Sequence, residues 1–316
     1  MMEHLYTWNY LIAIYLFTAG LSSGAAIIAS ITDILNHTDE RIKRIAAYLA
    51  PFPVVLGLVC LVADLHRPLN FFKVLIHYHA TSVMSWGAFF LLVFPIIAMV
   101  FTAMVYFNYN GALRKITAWL ELVLGLAIGI YAGLLLAAIY NNPVWSNPLI
   151  VFLFFVSALS TGGCMVIMAG KVWDSFDQRV LRKIIPEKWL PAEKSLNFDH
   201  DNIRLLISLD AVIIIIELMV ISTLIISYAL RPTGEIALGA IITGGYYLLF
   251  WLGVVLLGLI TPLILAILEL QHKFTDNASG IISWVEPALV LTGGYLLRHV
   301  IVYGGQLVYP ILTLYR

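Results

Sequence analysis

Charge is scarce in this sequence: Asp, Glu, Lys and Arg make up 11% of its 316 residues, against 61% hydrophobic ones. A soluble domain carries about a quarter charged and about half apolar residues, so a soluble fold is excluded and a polytopic membrane protein is indicated. Eighteen acids balance eighteen bases, which leaves no basic surface for nucleic acid. The two cysteines, Cys60 and Cys164, each lie inside an apolar run, where a thiol acts as a small hydrophobe; neither a disulfide framework nor a metal pattern is present. Histidine is missing where a membrane haem would need it. Axial imidazoles must project from spans into one pocket, and of His4, His37, His66, His77, His79, His200, His272 and His299 only His299 falls within a span core. No haem is expected. His77 and His79, two apart, read as an interfacial loop pair. There is no nucleotide loop, zinc pattern or nucleophile elbow. Met1-Met2-Glu3-His4 lacks a positive n-region and the apolar run after it is too long for an h-region, so the first span is expected to stay in the mature protein.

What the chain has is long apolar runs. A bilayer core of roughly 30 Å needs about 20 such residues per helix, and eight segments qualify, near 6–33, 45–64, 81–106, 112–139, 147–171, 203–230, 236–268 and 282–303. The expected fold is all-α, with eight transmembrane helices as two parallel-repeat four-helix bundles. Trp8, Trp119, Trp145, Trp173, Trp251 and Trp284 fall mostly near segment ends, as an aromatic belt would place them. The tail after Tyr303 reads as an interfacial strip. Thirteen Lys and Arg lie in the loops 34–44, 107–115, 171–204 and 269–281, against Arg67, Lys73, Arg231 and Arg316 on the other side. The positive-inside rule puts the thirteen in the cytoplasm and both termini outside.

Residues 171–202, with Pro186, Pro191 and mixed charge, read as a cytoplasmic linker. Residues 1–170 then hold the first bundle plus the fifth span, and 203–316 the remaining spans and an outer tail. Leu21-Ser22-Ser23-Gly24-Ala25 is echoed by Leu159-Ser160-Thr161-Gly162-Gly163, with Asp33 and Asp174 further along. Four spans separate the copies, which gives them one orientation. The alternative is that small residues recur wherever membrane helices pack closely.

An ionisable side chain within a span costs about 2.5–3.5 kcal/mol on insertion scales, so each one needs a reason. Asp210 and Glu217, two turns apart on the sixth span, share a face. With Glu121 and Glu286 they form a graded set of carboxylates suited to a proton path. Each acid can equally lock helices together by pairing. At the outer side, Trp8 and Asn9 open the first span, Asp64-Leu65-His66-Arg67 close the second, and Tyr131 lies ten residues before Asn141-Asn142-Pro143-Val144-Trp145. An amide, a carboxylate, a phenol and aromatic walls beneath the surface suit a quinone. An aromatic belt with ordinary caps is the other reading of that spacing.

Four motifs favour the first reading. Asp64-Leu65-His66-Arg67-Pro68 with Phe71, Thr81-Ser82-Val83-Met84-Ser85-Trp86-Gly87, Asn147-Pro148 with Ser160-Thr161-Gly162, and Gly293-Gly294-Tyr295 through Arg298-His299 to Gly304-Gly305-Gln306 together resemble the membrane subunits typified by polysulfide reductase and NrfD. His66 departs from the family pattern, which has Gly there. The resemblance implies a haem-free quinone-interacting anchor, multi-pass in a bacterial or archaeal inner membrane. It would serve a respiratory oxidoreductase with a four-cluster ferredoxin-type iron-sulfur subunit and a molybdopterin or multihaem catalytic subunit on the outer face. It assigns quinone, menaquinone or ubiquinone, to Tyr131 as ring contact, with Trp8, Asn9 and Asp64 beside it and Arg67 and Arg298 steering charge or pairing Asp64. Asp64 and Tyr131 are then the catalytic pair, and no metal is expected in this chain. Two other classes stand beside it, a secondary transporter of a small solute or ion and a structural anchor with a vestigial site.

Overall fold

A computed structural model describes residues 8–35, 40–64, 79, 82–176, 200–271 and 276–308, with side chains described at 8–35, 40–64, 79, 82–173, 204–271 and 282–308. Residues 65–78, which include His66 and Arg67, most of the 171–202 linker and the side chain of Asp174 lie outside this set.

Apolar length dictates the elements, and proline and glycine decide where they break. The helices are α1 (Tyr10–Ile34), α2 (Glu40–Leu49), α3 (Pro51–Asp64), α4 (Val83–Tyr106), α5 (Ala112–Ala137), α6 (Leu149–Phe176), α7 (His200–Ala229), α8 (Gly234–Ile241), α9 (Leu249–Ile260), α10 (Thr261–Leu270) and α11 (Asp276–Leu307). Among the described residues eight stretches are long and apolar enough to cross a membrane, with α2–α3 counting as one and α9–α10 as another. The chain is an all-α membrane protein of eight spans.

The second span starts earlier than the expected 45 and is broken at Ala50, because Pro51 and Pro53 lack the N–H groups that would continue the ladder. Ser22 repairs the break from α1. Its hydroxyl donates to the Ala50 carbonyl at 2.5 Å and accepts the Val54 N–H at 2.8 Å, so the exposed backbone groups do not face lipid unpaired. The seventh span, expected as continuous over 236–268, is interrupted at 242–246 and resumes as the π-helical α9. In a π-helix each hydrogen bond spans five residues, which brings residues five apart onto one face. Gly253 and Gly258 both turn to α11 in this way. A Cβ on Gly253 would stand 2.8 Å from Leu296, and one on Gly258 2.6 Å from the Gly293 backbone.

Packing closes two four-helix rings. In the first half α1 packs on α2, α3 and α5, and α4 on α2, α3 and α5; in the second half α6 packs on α7 and α11, and α8, α9 and α10 lie against both. The rings meet where α6 packs on α1, α2 and α5, and where α11 packs on α1. The first and fifth spans are accordingly the most enclosed, with 78% and 67% of their windows buried against 33% for the third and seventh. The two motifs of the sequence echo touch at this junction: a Cβ on Gly24 would stand 2.8 Å from the Cα of Gly162. Small residues allow that approach, which supplies dispersion energy where lipid offers no hydrophobic gain.

One tryptophan expected in the aromatic belt is elsewhere. Trp145 is 1% exposed; its Nε1 donates to the Ile301 carbonyl at 2.8 Å and its ring fills the space left by Gly305. The C-terminal strip is likewise helical through Leu307, since Gln306 pairs both backbone groups of Trp8, at 3.2 and 3.1 Å.

Candidate functional site

The interior of the first ring is built from two phenols and two glycines, one from each of its spans. Tyr15 of α1 lies against Gly57 of α3, where a Cβ would stand 3.3 Å from the tyrosine ring; the Tyr131 ring of α5 occupies the space over Gly87 of α4. Tyr15 is 1% and Tyr131 5% exposed, and the two interact electrostatically. The Tyr15 hydroxyl is buried without a hydrogen-bond partner. A buried tyrosine normally finds a partner for its O–H, so this one is a donor suited to a polar ligand.

Asp64 stands above this pair. The first two spans are antiparallel, and Gly57 to Asp64 covers two turns, about 10 Å at 1.5 Å per residue. Tyr15 to Trp8 covers the same interval, so Asp64 ends α3 close to the level of residue 8. Its Oδ1 is buried and unpartnered. Trp8 is committed to structure: it stacks on Trp145 with centroids 4.9 Å apart and is clamped by Gln306. Asn9 caps α1 without a side-chain cap bond and is exposed. Asn142, in the 141–145 run, donates to the Gly305 carbonyl at 2.7 Å and accepts from the Val144 and Trp145 N–H groups, which makes it a loop anchor.

Arg298 does not join Asp64. It is 0% exposed and held between the rings: Nε donates to the Leu16 carbonyl at 3.2 Å, and Nη1 to the Gly294 carbonyl at 2.8 Å and the Ser157 hydroxyl at 3.3 Å. Phe17 and Phe154 lie 5.7 and 5.5 Å from its guanidinium carbon. The expectation that it pairs Asp64 is corrected by these partners, since a buried guanidinium takes whatever carbonyls and hydroxyls its helix neighbours supply.

The four carboxylates fall into two groups. Glu121 belongs to the first ring, where Ser30 donates to it at 3.2 Å. Near it Asp33 bonds with Arg114 and lies 3.5 Å from Lys43. The other three belong to the second ring. Glu286 is within electrostatic reach of Asp210, Glu269 and Lys171. Asp210 accepts from the Ser160 hydroxyl at 2.6 Å and the Cys164 thiol at 3.4 Å. Glu217 is within electrostatic reach of Arg298, whose Nη1 donates to the Ser157 hydroxyl. Sequence reasoning missed Tyr15, Ser157, Ser160 and Cys164; the one available signal was a tyrosine deep in a span with no polar residue beside it. Arg67 lies outside the described residues.

Comparison with known proteins agrees with this architecture. The family model described as "Polysulphide reductase, NrfD" matches residues 1–185 and 190–310. The C subunit of polysulfide reductase from Wolinella succinogenes is 30% identical, over 95% of this protein and 94% of its own length. Protein NrfD of Escherichia coli is 28% identical over 95% of each protein. The Hdr-like menaquinol oxidoreductase integral membrane subunit of Archaeoglobus fulgidus is 22% identical over 45% of this protein and 36% of its own length. The chain belongs to the polysulphide reductase NrfD family, and is a membrane subunit of a respiratory oxidoreductase.

Proposed function

We propose that this subunit exchanges electrons between the membrane quinone pool and an iron-sulfur subunit docked on its outer face. The observation that carries the reading is the pair of buried, unpartnered oxygens, Tyr15 Oη and Asp64 Oδ1, on the ring interior that also holds Tyr131. A quinone ring fits these groups: it is flat and its two carbonyls need hydrogen-bond partners, while Gly57 and Gly87 let the two tyrosine rings seat closely against α3 and α4. The Archaeoglobus relative, named as a menaquinol oxidoreductase subunit, favours the same ligand class.

A bound quinone supplies a couple of two electrons and two protons. The residues do the rest. Tyr131, seated on Gly87, orients the ring and donates a hydrogen bond from its hydroxyl. Tyr15 offers a second hydroxyl from the opposite wall. Asp64 holds or releases a proton at the mouth, where Arg67 would set its charge. The sequence has one histidine, His299, within a span core, so a haem held by two imidazoles has no second ligand, and electrons pass straight to a partner cluster. Positive-inside counting favours the Asp64 end as the outer one. A four-cluster ferredoxin-type subunit wired to a molybdopterin or multihaem catalytic subunit therefore docks on that face, in a bacterial or archaeal inner membrane. Glu286, Asp210 and Glu217 carry protons through the second ring, with Glu121 in the first.

The test is quinol turnover by the assembled complex. Tyr131→Phe and Asp64→Asn should each abolish it while assembly persists; wild-type turnover in both would sink the site. For the path, Glu217→Gln should lower charge movement in reconstituted vesicles, and an unaltered membrane potential at full turnover would remove it.

A further inference from the structure

The carboxylates of the second ring and the tyrosine pair of the first are on opposite sides of one helix, α1. Tyr15 faces the first ring over Gly57, whereas the carbonyl of the adjacent Leu16 receives Arg298 from the second. The groups leading to that point lie within electrostatic reach of one another: Glu286 of Asp210, Asp210 of Glu217, and Glu217 of Arg298, whose Nη1 donates to the Ser157 hydroxyl at 3.3 Å. They end there. Arg298 Nη2 is buried without a hydrogen-bond partner and faces Gly20, where a Cβ would stand 2.6 Å from it.

We infer that Arg298 is the positioning residue through which the protonation state of Glu217 acts on the quinone site, across α1; this rests on the quinone reading above. With Glu217 ionised, its charge offsets part of the guanidinium's from the second-ring side, through space and without an ion pair. A proton arriving at the Glu217 carboxylate leaves the Arg298 charge uncompensated in a low-dielectric interior, where a charge is felt strongly. The charge is bonded to the backbone beside Tyr15, so it favours a proton leaving the first-ring site. Proton entry on one side of α1 is thereby tied to proton exit on the other, and no proton crosses the helix. Gly20 is required because any Cβ there would crowd the unpaired Nη2.

The experiment uses the whole complex in liposomes, with quinol turnover and charge movement recorded together. Arg298→Gln should abolish the share of the charge moved per electron pair that the second ring contributes. Arg298→Lys should restore part of it. Ser157→Ala cuts the link without removing the charge and should lower the ratio in the same sense, which covers the case where Arg298→Gln does not assemble. A wild-type ratio in Ser157→Ala together with Arg298→Gln or Arg298→Lys overturns the inference while leaving the quinone site standing. Absence of quinol turnover in the wild-type complex overturns the quinone reading and the inference with it.

Discussion

The ring of Tyr131 lies in the space that a Cβ on Gly87 would occupy. The relationship joins the third and fourth spans at one point and sets the height of the phenol in the first ring. Gly87→Ala should displace the ring, cost about 1–3 kcal/mol by overpacking and reduce quinol turnover; thermal unfolding and turnover measured on the same preparation check both effects.

Tyr15→Phe should separate stability from activity. The hydroxyl has no partner, and an unsatisfied buried group costs about 1–3 kcal/mol, so its removal should leave the melting temperature unchanged or raised. If the hydroxyl serves as a proton-transfer partner in the site, turnover should fall by roughly 100-fold. A drop in stability at unchanged turnover would show a purely structural tyrosine.

Gly24→Val should loosen the junction of the two rings. The added side chain meets the Ala158 and Gly162 backbones, which cannot retreat as a flexible side chain can. A loss of about 3 kcal/mol or more is expected, read as a lowered melting temperature in detergent.

Ser22→Ala should leave the Ala50 carbonyl and the Val54 N–H unpaired inside the protein. The cost is about 1–3 kcal/mol for each orphaned group, while Ser22→Thr keeps the hydroxyl. Melting temperatures of the two variants provide the comparison.

Asp33→Asn should leave Arg114 and Lys43 facing each other without their shared acid. Breaking a buried pair by removing one partner costs about 3–5 kcal/mol, and restoring neutrality with a second change, Lys43→Met, should recover part of it.

Several of these features are visible in the sequence and several are not. Apolar length yields eight spans because the bilayer sets one number for all of them, and the scarcity of charge makes each buried acid conspicuous. The motifs around Asp64, Gly87, Gly162 and Arg298 carry the family. Sequence could not say that Glu121 belongs to one ring and Asp210, Glu217 and Glu286 to the other, because hydropathy records how long a helix is and not which neighbours it has. It set Trp145 among belt residues, since a tryptophan wedged against Gly305 reads like one at an interface. It read the seventh span as continuous because the short weak stretch Thr243-Gly244-Gly245 is averaged away in a long apolar run, and the π-helical winding after it leaves apolarity unchanged.

Composition, span length and local pattern are enough to establish an eight-span membrane protein of the NrfD kind, with Tyr131 and Asp64 as its polar landmarks. Which side chains meet is settled in three dimensions: Tyr15 completes the pair with Tyr131, and Arg298 answers to Leu16 and Ser157 instead of Asp64. Residues far apart in the chain acquire partners when glycines such as Gly20, Gly57 and Gly87 let helices close on one another, and that contact is a property of packed surfaces which no single segment carries.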